Sequence, residues 1–209
     1  MKYRHVVVEG PIGCGKTSLA IKLSRRLNAT TLLEDTKANP FLPQFYNDMR
    51  RYALPTQLFF LFQRVAELEK LKQPDLFAQP VVADFSLARD PLFARLTLDD
   101  AEYQLYAKIF AHVKPQAPVP DLVIYLQASV DTLVHRVKRR GNPNEAAISE
   151  DYMRSLSDAY TQYFHHYTDS PMLIVNSERL NFVDSAEHLD LLIERIEAMR
   201  GGREFFNRA

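Results

Sequence analysis

Residues 6–18 constrain the fold of this chain more than any other segment. They begin with a β-branched run, pass through closely spaced glycines and end in a sequence compatible with a helix. Residues 10–17 match the pattern GxxxxGK[ST], whose glycines let the backbone turn sharply and point successive N–H groups at phosphate oxygens. A helix that starts there adds its partial positive charge. The segment therefore predicts a buried strand, a phosphate loop and a helix that together bind a nucleoside triphosphate.

Two side chains of this loop have predicted tasks. Lys16 can reach the β- and γ-phosphates, and the hydroxyl of Thr17 is placed to ligate Mg²⁺. The alternative is a glycine-rich turn that only joins the strand to the helix, but every fixed position of the pattern is satisfied in register. We therefore expect ATP and Mg²⁺ as cofactors. We expect the whole phosphate loop to contact the nucleotide, namely Gly10, Pro11, Ile12, Gly13, Cys14, Gly15, Lys16, Thr17 and Ser18.

The balance of charge narrows the class of partner. Among 209 residues, 26 basic and 26 acidic side chains cancel, which argues against a protein that binds a nucleic-acid polymer or a membrane surface through excess positive charge. The single cysteine, Cys14, cannot form an internal disulfide and fits a reducing cytoplasm. No leader precedes the first predicted strand, and no apolar run approaches the about 20 residues that span a bilayer. We expect one soluble cytoplasmic domain over residues 1–209.

Short β-rich runs alternate with longer stretches of helical spacing along the whole chain. Alternation of this kind predicts an α/β fold of the phosphate-loop kinase type, with a five-stranded parallel sheet and helices on both faces. In such sheets ligands bind outside the carboxyl ends of the strands. The five predicted strands cover residues 3–8, 30–33, 81–83, 122–126 and 173–175.

Two local signals set helix boundaries in the middle of the chain. Pro55 suits the first turn of a helix that ends before Pro74, because its missing N–H would be unpaired there anyway. Thr97, three residues before Asp100, predicts a variant of the capping box that opens the next helix.

Carboxylates follow the second and third predicted strands. Glu34 and its neighbour Asp35 end the second strand, where a carboxylate can accept a proton from an attacking hydroxyl, an effect worth about 10²- to 10⁴-fold. The alternative is a pair of solvated turn acids. Asp84 follows the third strand, as does the carboxylate that organises the metal in phosphate-loop enzymes. Its alternative role is a helix N-cap.

Two further pairs share helix faces. Gln57 and Arg64 are seven residues apart, so both project from one face with aromatic and aliphatic neighbours and could form a nucleobase pocket. A partly buried structural pair is the alternative. Arg136 and Arg140 are four residues apart and predict a short basic lid, about residues 136–148, that closes over transferring phosphates. In other phosphoryl-transfer enzymes an arginine in this role raises the rate by about 10³- to 10⁵-fold. A charged, solvated helix face is the alternative.

Together these residues resemble the deoxyribonucleoside kinase family, in particular the bacterial deoxyadenosine and deoxyguanosine kinases. The resemblance covers almost the whole chain. The phosphate loop alone would fit many families, but the Asn-Pro-Phe-Leu segment that follows Glu34 and its spacing to Gln57 narrow the choice. The resemblance rests on residues 9–20, Glu34 with residues 39–42 and 45–46, and residues 57–64, 84–90 and 136–151.

The resemblance implies a role for each candidate residue. It implies that Glu34 is the general base that acts on a sugar 5′-hydroxyl. It also implies that Lys16 and the lid arginines contact the phosphates. It further implies that Tyr46 and Asp151 bind the 3′-hydroxyl, that Gln57, Arg64 and Asp90 read the base, that Thr17 and Asp84 hold Mg²⁺, and that Arg136 and Arg140 belong to the lid.

One segment departs from the family pattern. Many members have an acid-Arg-Ser triplet after the third strand, where this chain has Asp84, Phe85 and Ser86. The expected arginine is therefore missing, and Arg89 is a candidate to replace it.

The sequence thus predicts transfer of the ATP γ-phosphoryl group to the 5′-hydroxyl of a deoxynucleoside in nucleotide salvage. A Gln amide can pair with adenine and an Arg guanidinium can pair with guanine, so these residues favour a purine. The sequence does not decide between adenine and guanine, and deoxycytidine stays an alternative substrate. One rival is a monophosphate kinase of the thymidylate type, which could use Arg50 and Arg51 for an acceptor phosphate. A nucleotide-dependent switch is the other, although no Asn-Lys-x-Asp motif is present. The resemblance also implies a homodimer, for which the apolar residues 59–62 are available.

Overall fold

The computed structural model describes residues 2–71, 79–114, 118–182 and 185–207. Within these residues the chain forms a six-stranded sheet flanked by helices. The strands are β1 (His5–Glu9), β2 (Thr30–Leu32), β3 (Val81–Ala83), β4 (Leu122–Gln127), β5 (Met172–Asn176) and β6 (Arg203–Phe206). The helices are α1 (Lys16–Leu27), α2 (Leu42–Phe45), α3 (Met49–Lys70), α4 (Asp90–Thr97), α5 (Asp100–Val113), α6 (Val130–Arg140), α7 (Glu150–His166) and α8 (Ala186–Ala198).

The order of the strands places the phosphate loop at the centre of the sheet. The order is β2-β3-β1-β4-β5-β6, and every neighbouring pair is parallel. The chain builds out from β1 first toward β3 and β2 and then toward β4, so the order reverses beside β1. Ligands bind at such a reversal, outside the carboxyl ends of the strands. The predicted parallel α/β fold is therefore confirmed, with one strand more than the sequence suggested.

Helices cover both faces of the sheet, which explains why the central strands read as continuous apolar runs. Val6 and Val8 of β1 lie in a buried cluster with residues of α1 and α8. Val7 points to the opposite face and packs in a second cluster with residues of α3 and α5. A third cluster joins β4 and β5 to α7, with Tyr125 stacked on Phe164 at 4.4 Å between ring centroids.

Two of the predicted helix boundaries were wrong. Pro55 lies inside α3, which begins at Met49 after Asp48, whose side chain accepts a hydrogen bond from the N–H of Arg51 at 3.2 Å. Thr97 ends α4, where its hydroxyl donates to the Phe93 carbonyl oxygen at 2.7 Å. The capping box of α5 is instead formed by Asp99 with Glu102.

The unpredicted strand β6 lies at an edge of the sheet. It has only four residues and follows Gly201 and Gly202, so its local pattern is weak. The guanidinium of Arg203 donates to the carbonyl oxygens of Phe164, His165 and Tyr167 and so satisfies the last turn of α7. Among the described helices, none combines the length and the apolar character needed to cross a membrane.

Candidate active site

The phosphate loop passes so close to its neighbours that two positions require glycine. Gly10 has φ 146° and a Cβ there would lie 2.6 Å from the Leu126 carbonyl oxygen and 2.7 Å from Cys14 Sγ. Gly13 has φ 87° and its Cβ would lie 2.8 Å from the Leu133 carbonyl oxygen. Gly10 and Gly13 therefore let the loop fit against β4 and α6.

Lys16 opens α1 and folds back over the loop. Its Nζ donates to the carbonyl oxygens of Gly10 at 2.7 Å and Pro11 at 3.0 Å. The ammonium group and the N-terminus of α1 thus place positive charge at one point, as an anion site requires. Cys14 is buried beneath them, and burial raises the pKa of its thiol, so this residue packs rather than reacts.

Thr17 and Asp84 meet at the carboxyl end of β3. The Thr17 hydroxyl donates to Asp84 Oδ2 at 2.5 Å, and Asp84 Oδ1 accepts from the N–H of Glu34 at 2.8 Å. Asp84 therefore connects α1 to the segment after β2 and is not a helix cap, since Ser86 caps the short helix that follows. Among the described residues no three acidic, histidine or cysteine side chains cluster as metal ligands. One hydroxyl and one carboxylate fit Mg²⁺, which uses one or two carboxylates together with phosphate oxygens.

A first cavity, of about 320 Å³, lies between the phosphate loop and helices α2 and α3. It brings together residues that the sequence placed far apart and that were singled out for different reasons. Its aromatic and aliphatic walls include Leu42, Phe45, Phe60, Phe93 and Tyr152. Of the predicted site residues, those lining it are Ile12, Gly13, Lys16, Thr17, Glu34, Tyr46, Gln57, Arg64, Asp84 and Arg140.

Glu34 is held in this cavity by two guanidinium groups. Its Oε1 accepts from Arg64 Nε at 2.6 Å and pairs with Arg89 Nη2 at 2.8 Å. Burial alone would raise the pKa of Glu34, but the attraction of Arg64 and then of Arg89 outweighs it and lowers the pKa to about 2. The carboxylate is therefore ionised at neutral pH. Because these contacts converge on Oε1, Oε2 is the oxygen left for a ligand in the cavity.

Arg64 also pairs with Asp90, which is 1% exposed. Burial raises the pKa of Asp90 to about 6, although Arg64 acts in the opposite direction. Asp90 is not among the residues that line the first cavity, so its observed role is to hold Arg64. Gln57 lines the cavity and donates from Nε2 to Thr97 Oγ1 at 3.4 Å. The face shared by Gln57 and Arg64 thus forms one wall, with the Phe60 ring 5.2 Å from the Arg64 guanidinium carbon.

The predicted lid comprises the end of α6, a turn at Gly141 and a short helix over Pro143–Glu145. Arg140 Nε donates to Glu145 Oε2 at 3.1 Å, and both side chains line the first cavity beside Tyr46. Burial raises the pKa of Tyr46 well above its ordinary value, so its hydroxyl is neutral.

Sequence reasoning missed Glu145. A signal was available, because an acid five residues after Arg140 and across a Gly-Asn-Pro turn can reach back to that arginine.

Asp151 does not join the other predicted residues. It lies exposed in the first turn of α7 and outside the first cavity, which its neighbour Tyr152 lines instead. In a helix, adjacent residues point in different directions, so only one of the two can face the cavity. Glu145 occupies the position beside Tyr46 that the sequence assigned to Asp151.

A second cavity, of about 660 Å³, lies on the other side of the phosphate loop. Gly13, Cys14, Gly15 and Ser18 contribute to its wall, together with Arg136, Arg140 and the segment after β5. Arg136 donates from Nη2 to the Ser177 carbonyl oxygen at 2.7 Å and from Nη1 to its hydroxyl at 3.3 Å. The two lid arginines are therefore not equivalent, because only Arg140 lines both cavities.

Comparison with known proteins gives consistent matches over most of the chain. A family model described as deoxynucleoside kinase matches residues 6–199. The deoxyguanosine kinase of Bacillus subtilis (strain 168) is 35% identical over 156 residues, which is 74% of this chain and 75% of that protein. The deoxyadenosine kinase of Lactobacillus acidophilus is 29% identical over 206 residues, 92% of this chain and 94% of its own.

A solved structure extends the match to the fold. The deoxyadenosine kinase of M. mycoides, with the products dCMP and a flexible dCDP bound, superposes with a TM-score of 0.82 at 25% identity, covering 93% of this chain and 99% of its own. With its phosphate loop, its buried carboxylate and these relatives, the chain belongs to the deoxynucleoside kinase family.

Proposed function

We propose that this protein transfers the γ-phosphoryl group of ATP to the 5′-hydroxyl of a deoxynucleoside, as a step of nucleotide salvage. One observation carries the proposal: Glu34, Lys16 and Thr17 line the same cavity. A carboxylate for an attacking hydroxyl thus faces the residues that grip a triphosphate. The family match over residues 6–199 supports a single kinase domain over residues 1–209.

The phosphate loop and the second cavity form the donor side. Loop N–H groups and Lys16 hold the β- and γ-phosphates, while Arg136 and Arg140 neutralise charge from the lid. Thr17 and Asp84 would hold Mg²⁺, which would screen the charge on the phosphate oxygens.

Glu34 accepts the proton of the 5′-hydroxyl at Oε2. A carboxylate whose pKa is about 2 is a weak base, so its main effect is to orient the hydroxyl before transfer. This suits a loose transition state, in which the attacking oxygen carries little negative charge until late and positioning supplies most of the catalysis.

The first cavity fits a nucleoside better than a nucleoside monophosphate. The two arginines that the thymidylate-type alternative would use for an acceptor phosphate, Arg50 and Arg51, are exposed and do not line the cavity. Tyr46 and Glu145 instead offer a hydroxyl and a carboxylate to a sugar 3′-hydroxyl, in place of the predicted Asp151.

Gln57 and Arg64 face the base. The relatives named deoxyguanosine kinase and deoxyadenosine kinase support a purine. Deoxycytidine is the competing substrate, because the M. mycoides deoxyadenosine kinase holds dCMP.

Two features support a cytoplasmic homodimer. The free Cys14 suits a reducing compartment. Phe62 on α3 and Leu105 on α5 are large apolar residues that are 53% and 49% exposed, on two helices that contact each other. A second copy would cover this face.

The test is a panel of four deoxynucleosides and their monophosphates, each incubated with ATP and Mg²⁺ and scored by mass spectrometry of the products. The expected result is a purine deoxynucleoside 5′-monophosphate, with activity lost on chelation by EDTA. Diphosphate formed only from a monophosphate would establish the thymidylate-type alternative. ATP turnover without any phosphorylated acceptor would support a nucleotide-dependent switch.

A further inference from the structure

Beyond the pairing of Arg89 with Glu34, the proposed chemistry gives no task to two buried charged residues, Glu9 and Arg89. Glu9 is the last residue of β1, directly before the phosphate loop, and is 0% exposed. Arg89 ends the short helix Leu87–Arg89 between β3 and α4 and is 3% exposed. They lie between the part of the site that holds the donor phosphates and the carboxylate that faces the acceptor.

Arg89 reaches an acid on each side. Its Nη2 is 2.8 Å from Glu34 Oε1, and its Nη1 is 4.0 Å from Glu9 Oε2. Glu9 also fixes the segment that carries Arg89, because its Oε1 accepts from the N–H of Ser86 at 2.9 Å and from the Ser86 hydroxyl at 2.8 Å. A continuous series of contacts therefore runs from the start of the phosphate loop through Arg89 to Glu34.

Arg64 does not duplicate these contacts. It approaches Glu34 from α3 and pairs on its other side with Asp90, at the start of α4. Arg64 thus ties Glu34 to the base-facing wall. Arg89 ties the same carboxylate to the phosphate loop.

Stability does not account for the Glu9 and Arg89 pair. Glu9 Oε2 and Arg89 Nε have no hydrogen-bond partner among the described residues. Taking two charges out of water carries a large desolvation cost, and well-packed apolar residues often serve a core equally well. A pair whose remaining polar atoms are not satisfied is a poor way to stabilise this core, so its value lies in the geometry that it imposes.

We propose that Glu9 and Arg89 form a positioning strut that sets the distance between the phosphate loop and the Glu34 carboxylate. In-line transfer requires the 5′-oxygen and the γ-phosphorus about 3–3.5 Å apart, and a misplacement of about 1 Å costs roughly 10²-fold in rate. The strut fixes that separation because one end belongs to β1 and the other contacts Glu34. Glu9 does not line the first cavity, so it acts on the reaction only through the segment that carries Arg89. The strut rests on the proposed function, since it aligns the two substrates of that reaction.

Two substitutions separate positioning from packing. Glu9→Gln keeps the shape of the side chain and an oxygen for Ser86 but removes the charge that faces Arg89. Arg89→Lys keeps a positive charge but has a single ammonium group, which cannot span both acids. Arg95→Met is the matched control, because Arg95 on α4 is an exposed arginine that pairs with the exposed Asp100 and lies over the Tyr103 ring, and it does not line the first cavity.

The assay measures kcat and the KM values for deoxynucleoside and ATP, with Tm by calorimetry. We expect each strut variant to lose about 10- to 10²-fold in kcat while both KM values stay within about twofold. We expect the Glu9→Gln, Arg89→Lys double variant to be no slower than the worse single variant, because both changes break one unit. Arg95→Met should match wild type.

Three outcomes would overturn the strut. They are wild-type kcat in either strut variant, losses in kcat that multiply in the double variant, or a rise in KM that accounts for the whole loss in kcat/KM. If Glu9→Gln does not fold, Arg89→Lys alone decides by the same kcat and KM comparison. The failure of the proposed function is a different result: a wild-type protein that phosphorylates no nucleoside would remove that function and the strut with it.

Discussion

The donor and acceptor sides of the site are built in different ways. The phosphate loop is one continuous segment, and Lys16 donates within it to the backbone carbonyl oxygens of Gly10 and Pro11. The wall around Glu34 is assembled from distant segments, since Arg64 is 30 residues from Glu34 and 26 from Asp90 in the sequence. Backbone shape defines the first side, and buried charge pairs define the second.

This difference determines how each side responds to substitution. A loop made of backbone tolerates a new side chain only where space and φ allow it, so its sensitivity is steric. A wall made of paired charges depends on both partners of each pair, so removing one charge disturbs the field and the geometry that orient the ligand. Substitutions on the two sides should therefore affect different kinetic constants.

The largest effect is expected at Glu34. Glu34→Gln removes the charged acceptor that orients the 5′-hydroxyl and takes its proton, so kcat should fall by about 10²- to 10⁴-fold while the Kd for the deoxynucleoside, measured by calorimetric titration, changes little. Asp35→Asn is the control, because Asp35 is exposed and only caps the following turn through the N–H of Lys37. Unchanged turnover in Glu34→Gln would remove this residue from the chemistry.

On the donor side, Gly13→Ala should weaken ATP binding. Its Cβ would lie 2.8 Å from the Leu133 carbonyl oxygen at a φ of 87°, a strain of about 1–3 kcal/mol and so roughly 10- to 10²-fold in Kd for ATP. The Kd for the deoxynucleoside should change less than the Kd for ATP, although Gly13 also lines the first cavity. Gly202→Ala is the control, since nothing lies within 4 Å of its added Cβ. Equal losses for both ligands would show that the two sides are not separable.

The sequence predicted those parts of the structure that depend on local residue patterns. The phosphate loop has its own spacing, and the apolar runs of β1 and β4 reflect burial on both faces. Pro55 led to a wrong helix start, because a proline considered by itself is typical of the first turn of a helix. In the structure six residues of α3 precede it. Strand β6 was missed because its four residues owe their place to pairing with β5 and to the Arg203 contacts with α7.

The acceptor side was predictable where residue type agreed with strand position or helix face. Glu34 and Asp84 follow strands, Gln57 and Arg64 share a face of α3, and all four line the first cavity. Asp151 was placed at the cavity by family resemblance, whereas the fold brings Glu145 there through its pairing with Arg140. Such pairings join residues across a turn or between elements, and hydrophobic periodicity contains no information about them.

The Glu145 assignment gives a smaller expected effect. Glu145→Gln removes a charged acceptor for the 3′-hydroxyl, a hydrogen bond of about 1.5–3 kcal/mol, so the KM for the deoxynucleoside should rise roughly tenfold or more. A 2′,3′-dideoxynucleoside, which lacks that hydroxyl, should show little change. Asp151→Asn is the matched control and should behave as wild type, because Asp151 is exposed. A tenfold rise in KM for Asp151→Asn alone would restore the sequence-based assignment.

The smallest effect concerns stability and separates the two carboxylates that pair with Arg64. The pKa of Asp90 is raised from 3.8 to about 6 in the folded state, so folding favours its protonated form. Its contribution to stability is therefore full below about pH 4 and falls as the pH rises toward 6. The pKa of Glu34 is lowered from 4.5 to about 2, so its contribution is present above about pH 4.5 and is lost only toward pH 2.

Asp90→Asn isolates the first of these effects, because the amide does not titrate. Between pH 4 and 6 the Tm of the wild type should fall relative to that of the variant, by about 2–4 °C for each kcal/mol involved. The variant should keep a wild-type Kd for ATP, since Asp90 contacts no part of the phosphate loop. A difference in Tm that stays constant from pH 4 to 6 would mean that Asp90 is ionised throughout. Arg64 would then hold two anions at once.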